Sequence, residues 1–254
     1  MPPMKQPRVY QTEAIIIKRI NLGEADRILS LYTPRHGKVK AIAKGSRRPR
    51  SKLGGHVELL THSQLLLARG RNLDIITQAQ TINTFLPLKD DLKRMSCGLY
   101  LAELIDAFTE ERGESPELFD LLVTTLQQLT EADNQDTVLR YFELRLLDLT
   151  GYRPQLQRCA NCDSSLQPGV NYFSPGQGGV LCHDCTFEEP FARKLSLNAL
   201  KVLRLWQSCD YATASRVRIN PELALELEMT LRDYIRYLLE RQVKSTAWLD
   251  RLKG

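Results

Sequence analysis

Two cysteine pairs, Cys159-Ala160-Asn161-Cys162 and Cys182-His183-Asp184-Cys185, constrain this chain more than any other feature. Nineteen residues separate them, a spacing that fits a four-thiolate structural zinc site. Each C-x-x-C turn aims two thiolates at one point, and a tetrahedral ion needs two such turns brought together by a hairpin. The intervening sequence offers that hairpin: Val170-Asn171-Tyr172-Phe173-Ser174 reads as a strand, Pro175-Gly176-Gln177-Gly178-Gly179 as a turn, and Val180-Leu181 leads back. Two disulfides or a redox C-x-x-C are the competing readings. No βαβ pattern surrounds the motif, and the Met1-Pro2-Pro3-Met4-Lys5 start lacks the apolar core of a secretory signal. The expectation is one structural Zn2+ on Cys159, Cys162, Cys182 and Cys185. With all four positions filled by protein, such an ion is scaffold.

A chain of 254 residues that is 43% hydrophobic and 26% charged has ample core material for a globular protein. No apolar run approaches the length of a membrane span, so no membrane partner is expected. Cys97 and Cys209 fall in helical contexts and read as core thiols. The cysteine usage fits a reducing cytoplasm. The net charge of +5 hides an asymmetry. Residues 1–86 hold fifteen Lys and Arg against five acids, whereas residues 87–254 hold twenty against twenty-five. A basic N-terminal third and a mildly acidic remainder point to a polyanion partner for the former.

Five short alternating segments fill the basic part: Gln11–Ile20, Arg27–Thr33, Gly37–Lys44, Val57–Leu67 and Leu73–Ile82, with Arg69-Gly70-Arg71-Asn72 as the last turn. They suggest a small antiparallel barrel, with an OB-fold as the leading five-stranded choice and another barrel or sandwich as the alternative. Pro87 changes the period. Helices are expected over Leu92–Phe108, Leu118–Thr130 behind Ser115-Pro116-Glu117, Asp136–Leu149 closing at Gly151, Ser196–Ser208, and from Asn220-Pro221-Glu222 to about Arg241. The last carries Leu223, Leu227, Leu231, Tyr234 and Leu238 on one stripe, read as core. The expected fold is therefore α+β. An OB-fold DNA-binding domain spans 1–86. A helical domain in two parts, 87–155 and 191–254, is interrupted by the zinc hairpin at 156–190.

From Arg35 to Lys52 there are eight basic residues and no acidic one: Arg35, Lys38, Lys40, Lys44, Arg47, Arg48, Arg50 and Lys52. Gly45, Pro49, Gly54 and Gly55 break any helix, which leaves the charges on a strand and its following loop. A single-sign run repels itself, and neutralisation by nucleic-acid phosphate with counterion release relieves the repulsion. These eight are the candidate DNA-binding residues. The aromatics Tyr10, Tyr32 and Phe85 are too few for a stacking platform, so backbone charge should dominate and both single- and double-stranded DNA should bind. Gly45-Ser46-Arg47-Arg48 is a weaker candidate for a phosphate cradle. No nucleotide-binding loop, H-E-x-x-H or G-x-S-x-G motif occurs. Capping and solvation account for Asp90-Asp91 and Glu188-Glu189. His183 is expected to be exposed, and no enzyme is expected.

Glu24-x-Asp26-Arg27-Ile28, Thr33-x-x-x-Gly37-Lys38, Ala43-Lys44-Gly45-x-Arg47-Arg48 and Ser51-x-Leu53 resemble the N-terminal signature of the bacterial RecO family. Leu149-Thr150-Gly151-Tyr152-x-Pro154-x-Leu156-x-x-Cys159-x-x-Cys162, with its second cysteine pair, resembles the same family. The order barrel, helices, zinc hairpin, helices covers essentially the whole chain. The resemblance implies an OB-fold with a helical domain, DNA binding, strand annealing and a mediator role in DNA repair and homologous recombination. It also implies RecR and the single-stranded DNA-binding protein as partners, and a cytoplasmic, nucleoid-associated location. An OB-fold and zinc-ribbon RNA-binding or transcription factor is the alternative, and a metal-dependent nuclease would need a carboxylate cluster.

Overall fold

A computed structural model describes residues 8–167, 169–187, 189 and 191–240. The chain divides into two compact units, with the boundary between Thr130 and Glu131.

In the first unit the strands are β1 (Val9–Leu22), β2 (Asp26–Thr33), β3 (Gly37–Ala43), β4 (His62–Ala68) and β5 (Asp74–Asn83). They close into a barrel in the order β1-β2-β3-β5-β4, which is the OB-fold. The long β1 makes closure possible. Its first half pairs with β4, from Val9↔Ala68 to Ile15↔His62, and its second half with β2, from Ile15↔Tyr32 to Leu22↔Asp26. A register shift between Ile16 and Lys18 bends the strand where it changes partner. The parallel pairing of β3 with β5, at Ala41↔Asp74, completes the ring. Alternation then puts Leu29, Leu31, Val39, Ala41, Ala43, Leu65 and Leu67 inside, and the alanines fit the narrow interior.

Residues 57–61 are the one part of the expected fourth strand that lies outside β4. Gly54–Val57 forms a 3-10 turn, and Leu60 takes a left-handed conformation at φ 58°. Leu60 N–H donates to Ile16 O at 2.8 Å, and Ile16 N–H donates to Thr61 O at 3.2 Å. Val57 and Leu60 are thereby fully buried. Burying both costs strand geometry that alternation alone would have kept.

Helices α1 (Leu86–Lys89), α2 (Leu92–Phe108) and α3 (Pro116–Glu131) follow. Asp91 caps α2, accepting from Arg94 N–H at 2.8 Å. The α3 residue Phe119 meets His62 at 5.6 Å, edge to face, and Tyr32 at 6.3 Å. The change of period at Pro87 is therefore not a break in packing, because α1, α2 and most of α3 lie in the same compact unit as the barrel.

The second unit holds α4 (Gln135–Leu149), the three-stranded sheet β7-β6-β8 from β6 (Asn171–Ser174), β7 (Gly179–Leu181) and β8 (Arg193–Leu195), then α5 (Leu197–Ser208), α6 (Tyr211–Ala214) and α7 (Pro221–Leu239). Asn134, Ser196 and Asn220 cap α4, α5 and α7 with side-chain oxygens. On α7, Leu227, Leu231 and Tyr234 are buried, while Leu223 and Leu238 are half-buried, so the stripe is core. Tyr234 packs on Phe173 of β6 at 5.4 Å and donates to Tyr152 O at 3.1 Å. The expectation of a helix reaching Arg241 falls outside the described residues, as does Glu188. Cys97 is buried as expected, whereas Cys209 is only half-buried. Among the described residues no helix is long and apolar enough to cross a membrane.

Candidate metal centre and nucleic-acid interface

The residues ahead of the first cysteine pair dock on β7. Gln155 N–H donates to Gly178 O at 2.9 Å, and Val180 N–H returns to Gln155 O at 2.8 Å. A Cβ on Gly179 would lie 2.5 Å from Gln155 O, so this approach needs glycine. Ala160 N–H then donates to Val180 O at 2.8 Å, which carries the first C-x-x-C turn onto the hairpin that bears the second. All four Sγ atoms end within 4.8 Å of one another, in a group that could hold a metal ion.

The backbone of the turns already points at sulfur. Cys182 N–H donates to Cys159 Sγ at 3.3 Å, and Cys162 Sγ lies 3.0 Å from Ser164 Oγ and 3.8 Å from Cys182 Sγ. The Ser164 hydroxyl and amide stabilise the Cys162 thiolate and lower its pKa to about 6. Cys185 is pushed up to about 12, chiefly by its hydrogen bond with Cys162. The two shifts run in opposite directions, as expected of neighbouring thiols that share hydrogen bonds, and a bound dication would favour the thiolate form of all four. His183 is exposed, 3.7 Å from Asp184 and edge-on to Phe187, outside the sulfur cluster. Glu189 does more than sit in solvent. It accepts from Ser174 Oγ at 3.0 Å and from Gln177 Nε2 at 2.7 Å, and so ties down the hairpin turn.

The eight candidate DNA-binding residues separate into groups. Lys38, with its side chain 12% exposed, pairs with Asp106 at 3.0 Å and donates to the Asp106 carbonyl at 2.6 Å. Lys40 pairs with Glu111. Acids from the end of α2 and the segment after it therefore neutralise the outer face of β3. Nothing in the local spacing signalled this. The loop after β3 is different. Lys44, Arg47, Arg48, Arg50 and Lys52 are all exposed, and none of the five forms an ion pair among the described residues. Arg35 stands apart, on the turn between β2 and β3.

The loop itself is held in place. Gly45 turns at φ 65° and donates its N–H to Asp26 Oδ1 at 2.7 Å, Arg47 N–H donates to Ala25 O at 2.9 Å, and Arg47 Nη1 donates to Gly23 O at 2.8 Å. Because Asp26 occupies the Gly45 amide, Gly45-Ser46-Arg47-Arg48 is not a vacant phosphate cradle. What the loop presents is side-chain charge on a fixed backbone, suited to a polyanion followed along its length.

Comparison with known proteins agrees with this organisation at both ends. Residues 4–85 match the family model described as Recombination protein O N terminal, and residues 89–247 match Recombination protein O C terminal. The chain is 42% identical over 250 residues to a protein named DNA repair protein RecO from Dehalococcoides mccartyi (strain CBDB1), covering 98% of each chain. A protein of the same name from Roseiflexus sp. (strain RS-1) is 45% identical over 243 residues, which is 96% of this chain and 86% of the relative. That of Symbiobacterium thermophilum is 39% identical over 249 residues. Two family models spanning nearly the whole sequence, and relatives above 40% identity along its length, place this chain in the RecO family of DNA repair proteins.

Proposed function

We propose that this protein is a non-enzymatic recombination mediator of DNA repair. It binds single- and double-stranded DNA through the barrel, anneals complementary strands, and works in the cytoplasm at the nucleoid with RecR and the single-stranded DNA-binding protein. The observation that carries the DNA-binding reading is the exposed cluster Lys44, Arg47, Arg48, Arg50 and Lys52 on one braced loop, free of ion pairs among the described residues. Two polyanions repel each other, and a catalyst of their pairing needs mainly to supply positive charge to both backbones without gripping either by its bases. Flexible Lys and Arg side chains on a rigid loop meet that need. Lys38 and Lys40, held by Asp106 and Glu111, belong to the interface only if DNA displaces those acids.

The four cysteines are read as the ligands of one structural zinc ion. A tetrahedral ion with Zn–S distances of about 2.3 Å has S···S edges of about 3.8 Å, and the Cys162–Cys182 separation is 3.8 Å. All four ligands come from the protein, so the ion would hold the hairpin on the second unit and supply no chemistry.

The test is annealing of complementary strands coated with single-stranded DNA-binding protein, without nucleotide. Wild type is compared with the variant in which Lys44, Arg47, Arg48 and Arg50 are alanine. Faster annealing by wild type, slowed in the variant, supports the reading. Equal rates at every salt concentration would reduce the loop to a solvated face.

A further inference from the structure

A second cationic feature lies on the first unit, separated from the Lys44–Lys52 loop by the length of β3. A small cavity of about 130 Å3 is walled by Arg35 from the β2–β3 turn, Arg69 from the β4–β5 turn and Arg112 from the segment between α2 and α3. Its floor is the buried pair Tyr10 and Asp74, with the Tyr10 hydroxyl donating to Asp74 Oδ2 at 2.5 Å. Asp74 also accepts from Gly70 N–H at 3.1 Å, so its carboxylate is engaged by the floor itself. Arg69 lies over the Tyr10 ring at 4.7 Å, and its Nε is enclosed with no hydrogen-bond partner. Arg112 is a non-glycine residue at φ 64°, held there by its N–H donating to Lys38 O at 3.1 Å. Backbone strain of this kind persists where surrounding structure enforces it, and it concentrates at binding sites. None of the three arginines forms an ion pair among the described residues, although Glu114 stands at the same rim. His36, edge-on to Tyr10 at 4.6 Å, is kept toward neutrality by burial and then by Arg69.

Three guanidiniums without ion-pair partners outnumber the two carboxylates of the lining, Asp74 and Glu114, and so favour an added anion. The volume decides its size. It is well under the ~300 Å3 at which pockets for whole small molecules begin. A nucleotide does not fit, whereas one tetrahedral oxyanion does. We propose that this cavity binds a single phosphoryl group of a nucleic-acid strand, with Arg35, Arg69 and Arg112 as its cationic wall. This deepens the DNA-binding reading and rests on it for the source of the phosphate. A terminal phosphomonoester and a phosphodiester within the strand share the chemistry. The cavity admits the former more readily, because a chain end enters a small recess without bending the backbone.

The test uses the full-length protein and two arms. In the first, thermal midpoints are measured with inorganic phosphate against chloride at equal ionic strength, with no DNA present. In the second, affinities are measured for one oligonucleotide carrying either a 5′-phosphate or a 5′-hydroxyl. The variants are Arg35→Gln, Arg69→Gln, Glu114→Gln and, as an exposed control off the cavity, Arg71→Gln. Phosphate should raise the wild-type midpoint. The 5′-phosphate should improve affinity by about three- to tenfold. Arg35→Gln and Arg69→Gln should abolish both effects, Arg71→Gln should keep them, and Glu114→Gln should strengthen them. A merely structural role for these side chains would not produce that last result. Phosphate stabilisation with equal affinity for both oligonucleotides, lowered alike in the arginine variants, assigns the cavity to strand-internal phosphates and supports the proposal. Stabilisation by phosphate in a protein that binds no DNA would keep the site and overturn the DNA reading. DNA binding with no phosphate effect in either arm would overturn the site alone.

Discussion

The backbone N–H of Cys182 donates to Sγ of Cys159 at 3.3 Å, across 23 positions of sequence. The two cysteine turns are thus joined through backbone and sulfur together, and neither turn is positioned without the other.

Metal content follows from that coupling. The purified protein should carry about one zinc per chain, measured by elemental analysis. Cys159→Ser or Cys182→Ser should abolish it and lower the melting temperature of the second unit, since metal-binding energy is folding energy at such sites. Chelation should reproduce the effect. Absence of metal with the thiols paired as disulfides would overturn the zinc reading.

Replacing Lys44, Arg47, Arg48 and Arg50 with alanine should weaken DNA binding similarly across sequences while leaving zinc content unchanged. If four phosphate contacts are lost, the slope of log affinity against log salt on single strands should flatten by about 3, at about 0.7 per contact. Titrations at several salt concentrations check this, and an unchanged slope would remove the loop from the interface.

Lys38 should behave differently from its neighbours in sequence. Its ammonium is largely enclosed and bound to Asp106 through both carboxylate and carbonyl. Lys38→Ala should cost stability, about 1–3 kcal/mol by denaturant unfolding, with a smaller effect on DNA affinity than Arg48→Ala, whose side chain is exposed. The reverse ranking would place DNA on the outer face of β3.

Fragment behaviour separates the sequence boundary from the packing boundary. A fragment of residues 1–86 lacks Phe119, which packs on Tyr32 and His62, and should be much less stable than one of residues 1–130. Residues 1–86 should retain weak DNA binding and fail to capture the single-stranded DNA-binding protein, because the proposed partner surface lies on the mildly acidic residues 87–254. Equal stability of the two fragments would make the helices dispensable to the barrel. Capture of that protein by residues 1–86 alone would relocate the partner surface.

On α7, Leu231→Ala should destabilise the second unit by about 2–4 kcal/mol, because Leu231 is fully buried. The exposed Leu225 should tolerate the same change within about 0.5 kcal/mol.

The sequence by itself determined whatever depends on local period, capping and short spacing. Alternation placed four of the five barrel strands and the outer half of the fourth. The helix starts at Asp91 and Asn220 and the C-x-x-C pairs were legible because each acts within a few residues. Only the tertiary structure decided which of the eight basic side chains remain free. Lys38 meets its acid 68 positions away and Lys40 meets Glu111 across a similar distance, and no local pattern encodes such partners. The same holds for Leu60, whose left-handed backbone turns an apolar run off the strand and buries its side chain against Gly98 of α2. It holds also for Arg35, Arg69 and Arg112, three arginines from separate turns that only barrel closure brings to one cavity. Coulomb and packing energies depend on distance in space, so a side chain's charge is readable from the sequence while its neutralisation is not.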